Sequence, residues 1–179
     1  MKLACILTDG FEDVEALATS ALLRRAGFTV DFCSVHNKKL VTGSYQTAVA
    51  VTKSMVKVNV KNYEGVFIPG GRAVYSIRND KGVRDIVREF YEADKWMLAI
   101  CAAPTVYGML GIMDGKNYTS FPGTEKEMNN AIRIDKKVVR DGKFITARSV
   151  ADVYEFVFEI IEAIRGKEAL AKFKENIVY

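Results

Sequence analysis

Short, continuous apolar runs alternate along this chain with segments that are apolar only at helical spacing. The runs Lys2–Thr8, Phe28–Val35, Gly65–Ile68 and Trp96–Cys101 are the right length and character for strands buried on both faces. Between them, Val14, Leu17, Ala18, Ala21 and Leu22 fall at i, i+3, i+4, i+7 and i+8, which predicts one helix stripe, closed by Gly27. Val83, Ile86, Val87, Phe90 and Tyr91 predict a second. A third runs through Val153, Phe156, Val157, Ile160, Ile161 and Ile164. Residues 40–60 alternate and are rich in Val and Thr, as in short strands turning near Gly43 and Asn59. Pro104–Met113 reads as a mostly apolar helix, Asn117–Phe121 as a strand, and Lys137–Arg148 as a hairpin around Asp141-Gly142. Strands alternating with helices predict an α/β fold with a largely parallel sheet and helices on both faces. With no linker or repeat, residues 1–179 read as one domain.

Composition removes several function classes. The chain has 179 residues, is 49% hydrophobic and carries a net charge of +4. The basic residues are scattered, with Arg24-Arg25, Lys38-Lys39 and Lys136-Lys137 as the only close pairs, so they read as solvated surface and not as a nucleic-acid-binding face. The weakly charged stretch from Trp96 to Met113 is interrupted by Pro104, Gly108 and Gly111 and is better read as a buried strand and helix than as a membrane span. Three cysteines, Cys5, Cys33 and Cys101, without a CxxC spacing, argue against a disulfide framework or a metal site and for a reducing, cytoplasmic setting. No Gly-x-Gly-x-x-Gly occurs, so no nucleotide cofactor is expected.

In parallel sheets, ligands gather at the carboxyl ends of the strands. Three such ends stand out: Thr8-Asp9-Gly10, Pro69-Gly70-Gly71 and Cys101-Ala102-Ala103-Pro104. Cys101 sits between a strand and a helix, where free N–H groups and the helix dipole favour a thiolate, and Ala102 and Ala103 are small enough for the sharp turn of a nucleophile elbow. A buried structural thiol is the plainer alternative, and it suffices for Cys5 and Cys33. Glu15, in the first turn of the first helix, is either a helix-start acid or a carboxyl group reaching over the strand ends toward Cys101. Gly70 and Gly71 either make an ordinary turn or let backbone N–H groups, with that of Ala102, approach an oxyanion.

Taken in order, three blocks resemble the ThiJ/PfpI family: Thr8 through Ala16, Phe67 through Gly71, and Ala99 through Pro104. The likeness continues to about Lys167 and is greatest to the branch of the Parkinson's-disease-associated protein and its bacterial relatives. It implies a flavodoxin-like (class I glutamine amidotransferase-like) fold, a homodimer, no cofactor, and a reactive cysteine at Cys101 hydrogen-bonded to an acid at Glu15. It also implies stress-protective chemistry of the glyoxalase or deglycase type on a small reactive carbonyl, or oxidation of the thiol by a small oxidant. Two positions depart from the pattern. Phe121, before Pro122, stands where a histidine is common, so these two residues would give the pocket an apolar corner. Ala102 replaces the histidine of the peptidase-like branch, which argues against peptidase activity. The only histidine, His36, matches no catalytic position.

Overall fold

The continuous apolar runs become the interior of one sheet, because a strand covered on both faces must be apolar at every position. In the computed structural model, which describes residues 1–179, the chain forms eleven strands and six α-helices. The first half comprises β1 (Lys2–Leu7), α1 (Asp13–Arg25), β2 (Thr29–Ser34), β3 (Leu40–Thr42), β4 (Ala48–Ala50), β5 (Lys53–Ser54), β6 (Gly65–Ile68), α2 (Ala73–Asn79) and α3 (Lys81–Glu92). There follow β7 (Trp96–Ile100), α4 (Pro104–Met109), β8 (Asn117–Tyr118), β9 (Ile132–Arg133), β10 (Val138–Asp141), β11 (Phe144–Ala147), α5 (Val153–Arg165) and α6 (Lys167–Asn176).

Seven strands make the main sheet in the order β10-β11-β7-β6-β1-β2-β5. All its pairings are parallel except that of β10 with β11. Helices α1 and α5 pack together on one face, with α6 against α5, while α2, α3 and α4 cover the other. Chain connections run outward in opposite directions from the neighbours β1 and β6, so their carboxyl ends open a crevice at the switch point. The small hairpin β3–β4 is fastened over that crevice. Gly10 N–H donates to the Thr42 carbonyl at 2.8 Å, and Ser44 Oγ donates to the Gly10 carbonyl at 2.9 Å.

Helix α1 departs from the expected stripe. Val14 is 49% exposed and Ala21 is also exposed, whereas Glu15, Ala16, Thr19, Ser20 and Leu23 are buried. The helix is turned so that Glu15 points into the protein, and the partly buried Leu17, Ala18 and Leu22 lie to either side of the inward face. Two other elements end early. Strand β7 stops at Ile100 because Cys101 takes φ = +64°, and α4 stops at Met109, with Gly111 at φ = +70° leading the chain away. The expected strand Asn117–Phe121 is confined to Asn117–Tyr118.

Candidate active site around Cys101

A cysteine at φ = +64° occupies a region that side chains avoid, at a strain on the order of 1–3 kcal/mol. The surroundings hold it there. Cys101 N–H donates to the Ala147 carbonyl at 3.0 Å, the Cys101 carbonyl accepts from Phe121 N–H at 2.9 Å, and Ala103 N–H closes the turn on Ile100 at 3.1 Å. The strained turn lifts the thiol off the end of β7 into a half-exposed position, while Cys5 and Cys33 are fully buried in β1 and β2. Limiting iodoacetamide at neutral pH should therefore label Cys101 first, as read by peptide mapping. Equal labelling of Cys33 would show that access does not decide reactivity here.

Glu15 meets Cys101 at Gly70. Glu15 is only 1% exposed, and its Oε2 accepts from Gly70 N–H at 2.9 Å. A methyl group on Gly70 would lie 2.5 Å from Glu15 Oε2, 2.7 Å from Cys101 Cβ and 3.1 Å from Cys101 Sγ. The missing side chain of Gly70 is thus the space in which carboxyl and thiol come together. Gly71 has a different requirement. It sits at φ = +86°, and a Cβ there would lie 2.5 Å from both Glu12 N and the Gly10 carbonyl. The N–H groups of Ala102 and Gly71 favour the charged form of the sulfur.

The charges of this pair are coupled. Burial, followed by the neighbouring Glu12 carboxylate, pushes Glu15 up to about 7, against the hydrogen bonds from Gly70 and Cys101. Burial, then the charge and hydrogen bond of Glu15, pushes the Cys101 thiol up to about 12, against the N–H groups of Ala102 and Gly71. The expectation of a depressed thiol pKa is therefore reversed: burial first, and then the carboxyl group brought toward the sulfur, outweigh the turn's N–H groups. Between about pH 7 and about 12 the pair holds one proton and one negative charge.

A depression of ≈ 460 Å³ opens over the sulfur, lined by Cys101, Ala102, Gly71, Glu12, Ser44, Tyr45, Arg72 and Tyr75. Sequence reasoning found the first three and missed the rest, which come from the cap of α1 (Glu12), the β3–β4 hairpin (Ser44 and Tyr45) and the start of α2 (Arg72 and Tyr75). A signal was available in Asp13. Its carboxylate is not a bare helix-start acid, because it accepts from Tyr45 N–H at 2.9 Å and Thr47 N–H at 3.1 Å and ties the hairpin to α1. Although burial pushes Asp13 up, the hydrogen bonds from Thr47 and Tyr45 hold it below the usual carboxylate range. Phe121 and Pro122 are not brought into the depression. Phe121 is 48% exposed, donates its backbone N–H to the Cys101 carbonyl, and is not among the residues that line the depression. His36 lies 3.6 Å from Asp80 on the surface and does not line the depression. No cluster of three or more potential metal-ligating side chains occurs.

The fold and the site define a class: a doubly wound α/β protein that presents one cysteine on a strained elbow, with a buried carboxyl partner. The chain belongs to the DJ-1/PfpI family, whose pattern it matches over residues 1–163. It is 31% identical to the protein dj-1beta of Drosophila melanogaster, covering 97% of this chain and 94% of that one. A deglycase of Pyrococcus horikoshii is 29% identical, covering 92% of this chain and all of that one, 100%. Among solved structures, Drosophila DJ-1beta superposes with a TM-score of 0.93 at 30% identity, covering 99% of this chain and 97% of that one. The oxidized DJ-1 of Toxoplasma gondii superposes at 0.91 with 25% identity, covering 99% and 98%.

Proposed function

We propose that this protein is a stress-protective, cysteine-dependent enzyme of the deglycase or glyoxalase type, with Cys101 as nucleophile toward small reactive carbonyls. The observation that supports it most is the strained Cys101 at the mouth of the depression, with the buried Glu15 carboxyl group brought toward it at Gly70. As sulfur adds to an aldehyde carbon, the carbonyl π electrons move to oxygen, and the proton of the pair passes to that oxygen. The N–H groups of Gly71 and Ala102, beside the sulfur at rest, are placed to receive the developing charge. The deglycase names of the archaeal relatives support the same reading. Pure protein should consume methylglyoxal, and Cys101→Ser should not. Equal consumption by the two would remove the reading.

A second reading, oxidation of Cys101 to a sulfinic acid, is favoured by the site having no imidazole and by the oxidized state of the Toxoplasma relative's structure. Dilute peroxide should then add two oxygens at Cys101 in a protein that shows no turnover. The reading also includes a homodimer in a reducing, cytoplasmic compartment. Val14, Leu40 and Tyr45 leave an apolar face on α1 and the hairpin tied to it. No helix is long and apolar enough to cross a membrane.

A further inference from the structure

Far along the edge of the sheet from the elbow, the fold collects charges that are scattered in sequence. A basin of ≈ 430 Å³ lies against β5, shares no residue with the depression over Cys101, and is lined by Lys2, Lys38, Lys39, Lys53 and Lys57 without a single carboxylate. Three chain segments converge to make it: the start of β1, the β2–β3 connection, and the stretch from Val51 to Tyr63. The sheet register explains part of the gathering. Ala4 pairs with Asp31 and Cys33 with Lys53, so Lys2, Asp31 and Lys53 share one face. Asp31, behind the wall, is divided among Lys2 at 2.9 Å, Lys53 at 2.6 Å and the Tyr63 hydroxyl at 2.8 Å. Lys38 pairs with Asp9. Lys39 and Lys57 have no acidic partner. Bringing five ammonium groups to one concave surface with two shared counter-charges is unfavourable unless an anion completes it.

Three asparagines also line the basin and add amide donors. We propose that this basin binds a small phosphate compound carrying at least two phosphoryl groups. Ammonium point charges suit phosphate oxygens, and five of them match the charge of a compound with two or more phosphoryl groups better than that of a single phosphate. Nucleic acid is a poorer fit, because Tyr63, the only aromatic side chain of the wall, is 3% exposed and offers no stacking face.

The test is calorimetric titration of the full chain with sodium tripolyphosphate at low and at higher salt. Saturable one-to-one binding that weakens with salt is expected. Lys39→Ala and Lys57→Ala should each weaken it by about tenfold, with the fold unchanged by circular dichroism. Two controls should bind as the unmodified protein does: Cys101→Ser, and Lys172→Ala in a separate hollow that also holds Arg25 and Arg165. Parallel titrations with ATP and a hexose bisphosphate sort inorganic, nucleotide and sugar sources, each counted only if Lys39 and Lys57 govern it. Absence of binding, equal weakening by Lys172→Ala, indifference to Lys39 and Lys57, or equally tight citrate binding would each overturn the proposal.

Discussion

Replacing Gly70 with alanine should lower Cys101-dependent turnover of methylglyoxal by about a hundredfold while the protein stays folded. Gly70 does not need glycine's conformational freedom, since its φ is not in the left-handed region. What it supplies is empty space. The added methyl group would lie 2.5 Å from Glu15 Oε2 and 2.7 Å from Cys101 Cβ, well inside contact distance. One of the two must move, and either movement separates the proton from the sulfur that needs it. Overpacking of this kind costs on the order of 1–3 kcal/mol of stability, which a chain with an extensive core tolerates. The measurement is kcat, with the iodoacetamide rate at Cys101 alongside it. A variant matching the unmodified protein in both would show that carboxyl and thiol act independently.

Glu15→Gln should give a protein that is more stable above neutrality and poorer in catalysis. The carboxyl group titrates at about 7 in the folded chain against an ordinary 4.5, because burial and Glu12 oppose its charge. Between those values the folded state keeps a proton that the unfolded chain has released. The stability associated with that proton is fully present below 4.5 and is lost as pH rises through 7, amounting to about 3 kcal/mol. Glutamine stays neutral throughout, so denaturant midpoints of variant and unmodified protein should nearly coincide near pH 4.5 and diverge above pH 7, the variant being the more stable. The thiol should respond as well. Without the opposing carboxylate, Cys101 should titrate in one step below about 12, followed by thiolate absorbance. Parallel stability curves across that range, or an unmoved thiol titration, would mean that the pair is not coupled. Strain and an ill-placed charge kept at the cost of stability are what a reactive site requires.

The sequence by itself determined the strands and the elbow. The runs in β1, β2, β6 and β7 are apolar at nearly every position because both faces are covered, a local signal independent of partners. Cys101, Gly70, Gly71 and Ala102 were legible because a turn between a buried strand and a helix imposes small residues and a fixed backbone, and the block around Glu15 carried the family likeness. The rest depended on what the fold brings together. Periodicity placed Val14 and Ala21 on the inward face of α1, yet Glu15, Thr19 and Ser20 lie inward. Hydrophobic pattern cannot register that the carboxyl group must reach Gly70 across the strand ends. The charge state of Cys101 depends on the fold for the same reason: helix and turn favour a thiolate locally, but burial in the packed chain and then an acid from 86 positions earlier oppose it. Phe121, expected at the pocket from the family resemblance, is 48% exposed and does not line the depression, although its backbone N–H holds the elbow. The lysines of the β5 basin, spread from Lys2 to Lys57, looked like solvated surface; sheet register and loop packing, which no single segment encodes, gathered them onto one concave wall.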